Sequence, residues 1–244
     1  MLSLLQKEIK SFLSSLIGYI VITVFLLSVS LFLWVFPQSG FNILDSGYAN
    51  IDGLFVIAPW IFMFLISAIT MRSFAEEKKS GTMEFLMTRP LSDLQIILAK
   101  YFAGLLLVVF SLLPTLVYYI TVYQLGSPLG NIDSGGTWGS YIGLLFLGAG
   151  FVAIGIFSSS LTDSQIVAFI VSVFLCFFCY IGFDSISSLG FLGKIDFLVQ
   201  NLGINAHYIS MSRGVIDTRD IIYFVSMIGF FVLLTKLILQ SRKW

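Results

Sequence analysis

Asp, Glu, Lys and Arg are confined to short intervals between long apolar runs, and this spacing constrains the chain more than any other feature. A helix rises about 1.5 Å per residue, so roughly 20 apolar residues cross the roughly 30 Å of bilayer hydrocarbon. Windows that meet this requirement fall at residues 16–36, 54–71, 101–123, 140–161, 165–183 and 221–239. They predict an all-α polytopic membrane protein with six transmembrane helices. Composition agrees: 58% of the 244 residues are hydrophobic and 11% charged, too few charges to clothe a water-soluble surface of this size. An ordinary soluble enzyme, a disordered chain and a disulfide scaffold are excluded. A formal net charge of zero leaves no basic face for nucleic acid.

Lys and Arg set the orientation. With six spans both termini share a side, and that side carries Lys7, Lys10, Arg72, Lys78, Lys79, Arg89, Lys100, Lys236, Arg242 and Lys243. The opposite side holds only Lys194, Arg213 and Arg219. Both termini are therefore expected in the cytoplasm, Lys236 snorkelling from the last span. The first apolar run exceeds a signal-peptide core and precedes no small-x-small site, so it reads as an uncleaved anchor.

The segments between spans carry more information. In residues 1–15, Leu2, Leu5, Ile9, Phe12 and Leu13, continuing to Leu16, recur at helical spacing opposite Gln6, Lys7, Lys10 and Ser14. That pattern fits an interfacial helix or an extension of the first span. Residues 72–100 form a polar cytoplasmic loop. Ser80-Gly81-Thr82 can break one helix and cap another, Glu84 suits its first turn, and Pro90 stops it. Met83, Leu86 and Met87 would make an apolar stripe rimmed by Glu76, Glu77, Lys78, Lys79, Glu84 and Arg89. Ser92 and Gln95 have capping-box spacing for the helix that enters the third span. Such a short helix is either a connector dipping into headgroups or a knob that fits a groove on a soluble partner. The paired glutamates, poorly placed against anionic lipid, favour the knob. Residues 184–220 form a long outer loop, read as short interfacial or re-entrant helices.

Catalytic chemistry has little foothold. No span carries a central ionisable residue, which weakens an ion-driven carrier. No phosphate-binding G-x-x-x-x-G-K-[S/T] loop occurs; Gly193-Lys194 lacks the upstream glycine and is followed by Ile195. Cys176 and Cys179 lie one helical turn apart in an apolar run; a metal or dithiol role competes with simple packing, which the missing second ligand pair favours. His207 reads as a loop residue. Gly148, Gly150, Gly155 and Ser158-Ser159-Ser160 mark a helix-packing face, with lining of a path as the lesser reading. Pro114 is placed to kink the third span.

The run E-E-K-K-S-G-T-M-E-F-L-M-T-R-P-L-S resembles the loop of ABC-2 type transporter permeases: an acidic pair, G-T-x-E, leucines, then a proline and a hydroxyl residue. Glu76, Glu77, Gly81, Thr82, Glu84, Leu86, Pro90 and Leu91 carry the likeness, with Lys100 before the third span. The stretch from Ser212 to Ser226 and the closing L-Q-S-R-K-W are similar to the permease subunit of the gliding-motility-associated ABC transporter. The resemblance implies a six-span, type V exporter-like permease of the bacterial cytoplasmic (inner) membrane. Residues 76, 77, 81–84, 86, 87 and 89–91 would then be a coupling loop seated on a separate ABC-type ATPase. It also implies a second membrane subunit, either an identical copy or a larger related protein with an extracytoplasmic domain. This chain would hold no cofactor of its own, ATP being bound by the partner. A non-transporting subunit that relays ATPase motion to an extracytoplasmic partner is the alternative, and a secondary carrier a further one.

Overall fold

A computed structural model describes residues 1–37, 39–87, 91–188, 193 and 196–241. Among these there is no β-strand. The chain opens with α1 (Leu2–Ser14), turns at Ser15 and continues as α2 (Leu16–Ser30), which ends in a π-helical turn, Leu31–Val35. Then follow α3 (Ile43–Ser46), α4 (Asp52–Thr70), α5 (Arg72–Lys79), α6 (Thr82–Met87) and α7 (Asp93–Leu112). A 3-10 turn at Leu113–Thr115 joins α7 to α8 (Leu116–Leu125); Pro114, lacking an N–H, breaks the α-helical ladder there as its position predicts. The chain then forms α9 (Ser134–Leu161) and α10 (Gln165–Phe177), the latter with a π-helical turn, Phe178–Gly182. It closes through α11 (Phe183–Ser188), α12 (Asp196–Gln200), α13 (Ile204–Met211) and α14 (Thr218–Ser241).

Six of the helical stretches are long and apolar enough to cross a bilayer: Gly18–Val35, Asp52–Lys79, Asp93–Leu125, Ser134–Leu161, Gln165–Ser188 and Thr218–Ser241. The third and fourth begin upstream of their apolar windows because each has a built start. The Ser92 side chain accepts the Gln95 N–H while the Gln95 side chain accepts the Ser92 N–H, completing the capping box. Asp133 accepts the Gly136 N–H and starts α9.

The spans are unequal. In α9, 78% of the membrane window is buried, against 22% in each of the first, fifth and sixth spans. The fold is thus built around α9, against which α4, α7, α10 and α14 all pack, while α2 lies against α4 and α7. Small residues permit this, because helices in lipid gain from close van der Waals approach rather than from expelling water. A Cβ on Gly148 would lie 2.7 Å from Val108, and one on Gly155 only 2.0 Å from the Thr70 hydroxyl. The packing reading of these glycines therefore holds. Buried hydroxyls add cross-links: Ser67 with Ser172 at 2.7 Å ties α4 to α10, and Thr115 with Tyr141 at 3.1 Å ties α9 to the turn after α7. Such bonds contribute about 0.6 kcal/mol each in membrane bundles.

Candidate functional site at the α1, α5 and α7 end

α4 and α5 run almost continuously, with one turn residue, Met71, between them. The break is held by α9. Ser159 donates to the Met71 carbonyl at 2.9 Å and accepts the N–H groups of Phe74 (2.9 Å) and Ala75 (3.1 Å). A buried hydroxyl here replaces bonds that a broken helix would otherwise leave unmade. Lys78 Nζ donates to the Ser160 carbonyl, a second fastening between α5 and the end of α9.

α5 stops where Gly81 adopts a φ of +69°, a left-handed conformation that suits glycine. Ser80 Oγ donates to the Glu76 carbonyl at 2.8 Å and pairs with Thr82 Oγ1 at 2.8 Å, which covers the end of α5 and opens α6. On α6, Thr82 and Glu84 are exposed while Met83 is buried against the core. The start of α6 is thus anchored by Met83 and presents polar groups outward. The side chains of Phe85, Leu86 and Met87, and residues Thr88, Arg89 and Pro90 entirely, lie outside the described residues. Leu91 packs partly buried against the core. Glu76 on α5 is exposed.

Glu77 departs from the expected rim. Its Oε1 lies 2.9 Å from the Lys100 ammonium, which also donates to Glu8 Oε1 at 3.1 Å; the Lys100 side chain is 2% exposed. Phe74 lies under the same ammonium, 5.2 Å from ring centroid to nitrogen, and Lys7 approaches Glu77 at 4.0 Å. Three helices distant in sequence, α1, α5 and α7, are therefore joined by one buried cation between two carboxylates. Two acceptors around one ammonium leave Lys100 well satisfied. Breaking such a cluster strands a charge in a buried site, which is costly.

α1 meets this cluster along a face unlike the expected stripe. Leu4 and Glu8 are buried, whereas Leu2 and Leu16 are 75% and 74% exposed. Leu2, Leu13 and Leu16 of the expected apolar stripe face outward, while a glutamate occupies the protein-facing position. The available signal was that Leu4, Glu8 and Phe12 follow one another at four-residue steps, which puts a carboxylate on a packing face. Lys100, one helical turn beyond Ile96 on α7, carries the matching signal.

At the opposite end His207 is no isolated loop residue. It lies on α13, its Nδ1 2.7 Å from Asp220 Oδ1 and its Nε2 3.0 Å from the Asn201 carbonyl, its ring stacked 4.0 Å from Tyr223. Ser210 also donates to Asp220, so the serine hydroxyl is turned to the carboxylate and not to the imidazole. That is a fastening of α13 to α14 and not a nucleophile relay, which would need serine on histidine. Tyr208 donates to the Phe55 carbonyl at 2.7 Å, and burial holds its phenol well above the ordinary value. α13 is therefore secured to both α4 and α14.

Among the described residues no group of His, Cys, Asp and Glu is placed to hold a metal ion. Cys176 and Cys179 are free thiols, Cys176 buried. A family model described as ABC-2 family transporter protein matches residues 2–237. No curated protein matches the chain.

Proposed function

Because the chain belongs to the ABC-2 transporter family, we propose that it is a membrane permease subunit moved by a separate ATP-hydrolysing subunit that docks on residues 72–100. The observation that carries this reading is the bracing of α5 and α6. The exposed short helix α6, with Glu84 outward, is anchored through Met83, and α5 before it is attached through Ser159 to α9 and through Glu77 and Lys100 to α1 and α7. A push on α6 is thereby delivered through α5 to α9, α7 and α1 together. Docking energy would come from Glu76, Thr82 and Glu84 together with the adjoining residues 85–91. On the Lys/Arg bias this end faces the cytoplasm of a bacterial inner membrane. A second membrane subunit, identical or larger, would complete the complex, and likeness at Ser212–Ser226 supports the gliding-motility branch.

The test is affinity purification from native membranes with identification of co-purifying subunits. Glu84→Lys should lower recovery of the ATPase at least about tenfold, equivalent to about 1.4 kcal/mol, at unchanged membrane yield. Undiminished recovery refutes docking here.

One observation favours a second reading, relay of motion to an extracytoplasmic partner. α12 and its flank expose Phe197 (69%), Leu198 (63%) and Leu202 (59%) beside the firmly secured α13. A membrane interface that stays closed to substrate in every nucleotide state would select it.

A further inference from the structure

A cleft of about 200 Å³ opens beside the ion cluster, walled by α1 and α5 and lined among others by Lys7, Glu8, Phe12, Arg72, Glu77 and Lys100. Lys100 is committed to both carboxylates, through Glu8 Oε1 and Glu77 Oε1. Among the described residues, two buried atoms on the lining residues have no hydrogen-bond partner: Arg72 Nε, a donor, and Glu77 Oε2, an acceptor. Buried polar groups are normally paired, so an orphaned donor and an orphaned acceptor on two residues of one cleft's lining call for a ligand that carries both complements. Arg72 is the first charged residue after the apolar run of α4, which sets the cleft at the depth of lipid headgroups. Leu13 and Leu16, exposed on α1 and at its junction with α2, are chain neighbours of the lining residues Phe12 and Ser15 and offer apolar surface.

We propose that this cleft binds the headgroup of a zwitterionic phospholipid bearing a primary amine, the phosphate on the Arg72 guanidinium and the ammonium on the unpaired oxygen of Glu77. The balance of charge selects this class. An anionic headgroup without an amine would satisfy Arg72 but bring no ammonium to Glu77 Oε2, the lysines of the lining being directed to the Oε1 atoms of Glu8 and Glu77. A choline headgroup has the phosphate and the positive charge but no N–H to give Glu77. Phosphatidylethanolamine has all three.

The experiment measures lipid retention by native mass spectrometry, and the thermal midpoint, of the delipidated full chain in detergent with added phosphatidylethanolamine, phosphatidylcholine or phosphatidylglycerol. Ethanolamine lipid should be retained about tenfold over either of the others and should alone raise the midpoint. Arg72→Gln, which breaks no bond among the described residues, should bring the three lipids within about twofold, and Glu77→Gln should remove the ethanolamine-over-choline preference. If Glu77→Gln fails to fold, Arg72→Gln decides. Equal retention of ethanolamine and choline lipids, or an undiminished preference in Arg72→Gln, overturns the proposal. Displacement by inorganic phosphate as readily as by soluble phosphoethanolamine also overturns it, by making the cleft a simple anion site.

Discussion

Replacing Lys100 with methionine tests the junction of α1, α5 and α7 directly. At an effective dielectric of about 20, each ammonium–carboxylate contact near 3 Å is worth about 5 kcal/mol of attraction, largely cancelled by the cost of drying the charges. In Lys100→Met that cancellation disappears. Glu8 and Glu77, whose Oε1 atoms lie 3.1 and 2.9 Å from the lost nitrogen, are left at most about 6 Å apart, repelling by about 3 kcal/mol on the same scale. Removing one member of a buried cluster costs about 3–5 kcal/mol in all. With an unfolding entropy of about 2.1 cal/mol/K per residue, this lowers the thermal midpoint by about 6–10 °C. The triple variant Glu8→Gln, Glu77→Gln, Lys100→Met removes every charge together and should recover most of the loss, since neutral replacements of whole buried clusters are close to neutral in stability. Scanning fluorimetry of the purified chain in detergent reads both. A single variant that melts within about 2 °C of the parent, or a triple variant no better than the single, refutes the reasoning. Lys7 adds little, since its side chain is 65% exposed.

Gly155→Ala would push a methyl to 2.0 Å from the Thr70 hydroxyl, so it should cost about 1–3 kcal/mol by overpacking α9 against α4. Gly229→Ala on α14 meets nothing within 4 Å and should gain about 0.5–1 kcal/mol; the same melting assay separates the two, and equal midpoints would contradict the packing. Asp217 is exposed and its carboxyl is held below its ordinary value of 3.8, chiefly by the Arg219 backbone N–H and further by the Thr218 hydroxyl. A carboxyl lowered by folding contributes above its ordinary value, and the contribution is lost as pH falls through the depressed one. Amide exchange of Arg219, corrected for intrinsic rate, should therefore accelerate on acidification below that range; pH-independent protection would show that the bond does not hold the start of α14.

Much of the candidate site was legible in local chemistry. Ser92 and Gln95 form their capping box, Pro114 breaks α7 from α8, and Gly81 ends α5, because each depends on neighbours within four residues. The ion cluster was not legible. Glu77 reads as one of several loop charges, and Lys100 as one of several basic residues on its side of the membrane. Neither local pattern states that Glu8, 92 residues before Lys100, will face it. The same holds for His207, whose partner Asp220 lies across a turn and whose stacking ring belongs to another helix.

The sequence by itself determined that this is a six-span, all-helical membrane chain, because a bilayer demands long charge-free helices with every backbone bond made internally. It also determined the family, through a pattern that extends over residues 2–237. Only the tertiary structure decided which span sits at the centre, since all six are similarly apolar and the choice turns on where small residues let backbones close. It alone decided which charges leave the surface. Burying a lysine is tolerable only where folding brings carboxylates to it, and that coincidence of three helices is not written in any one of them.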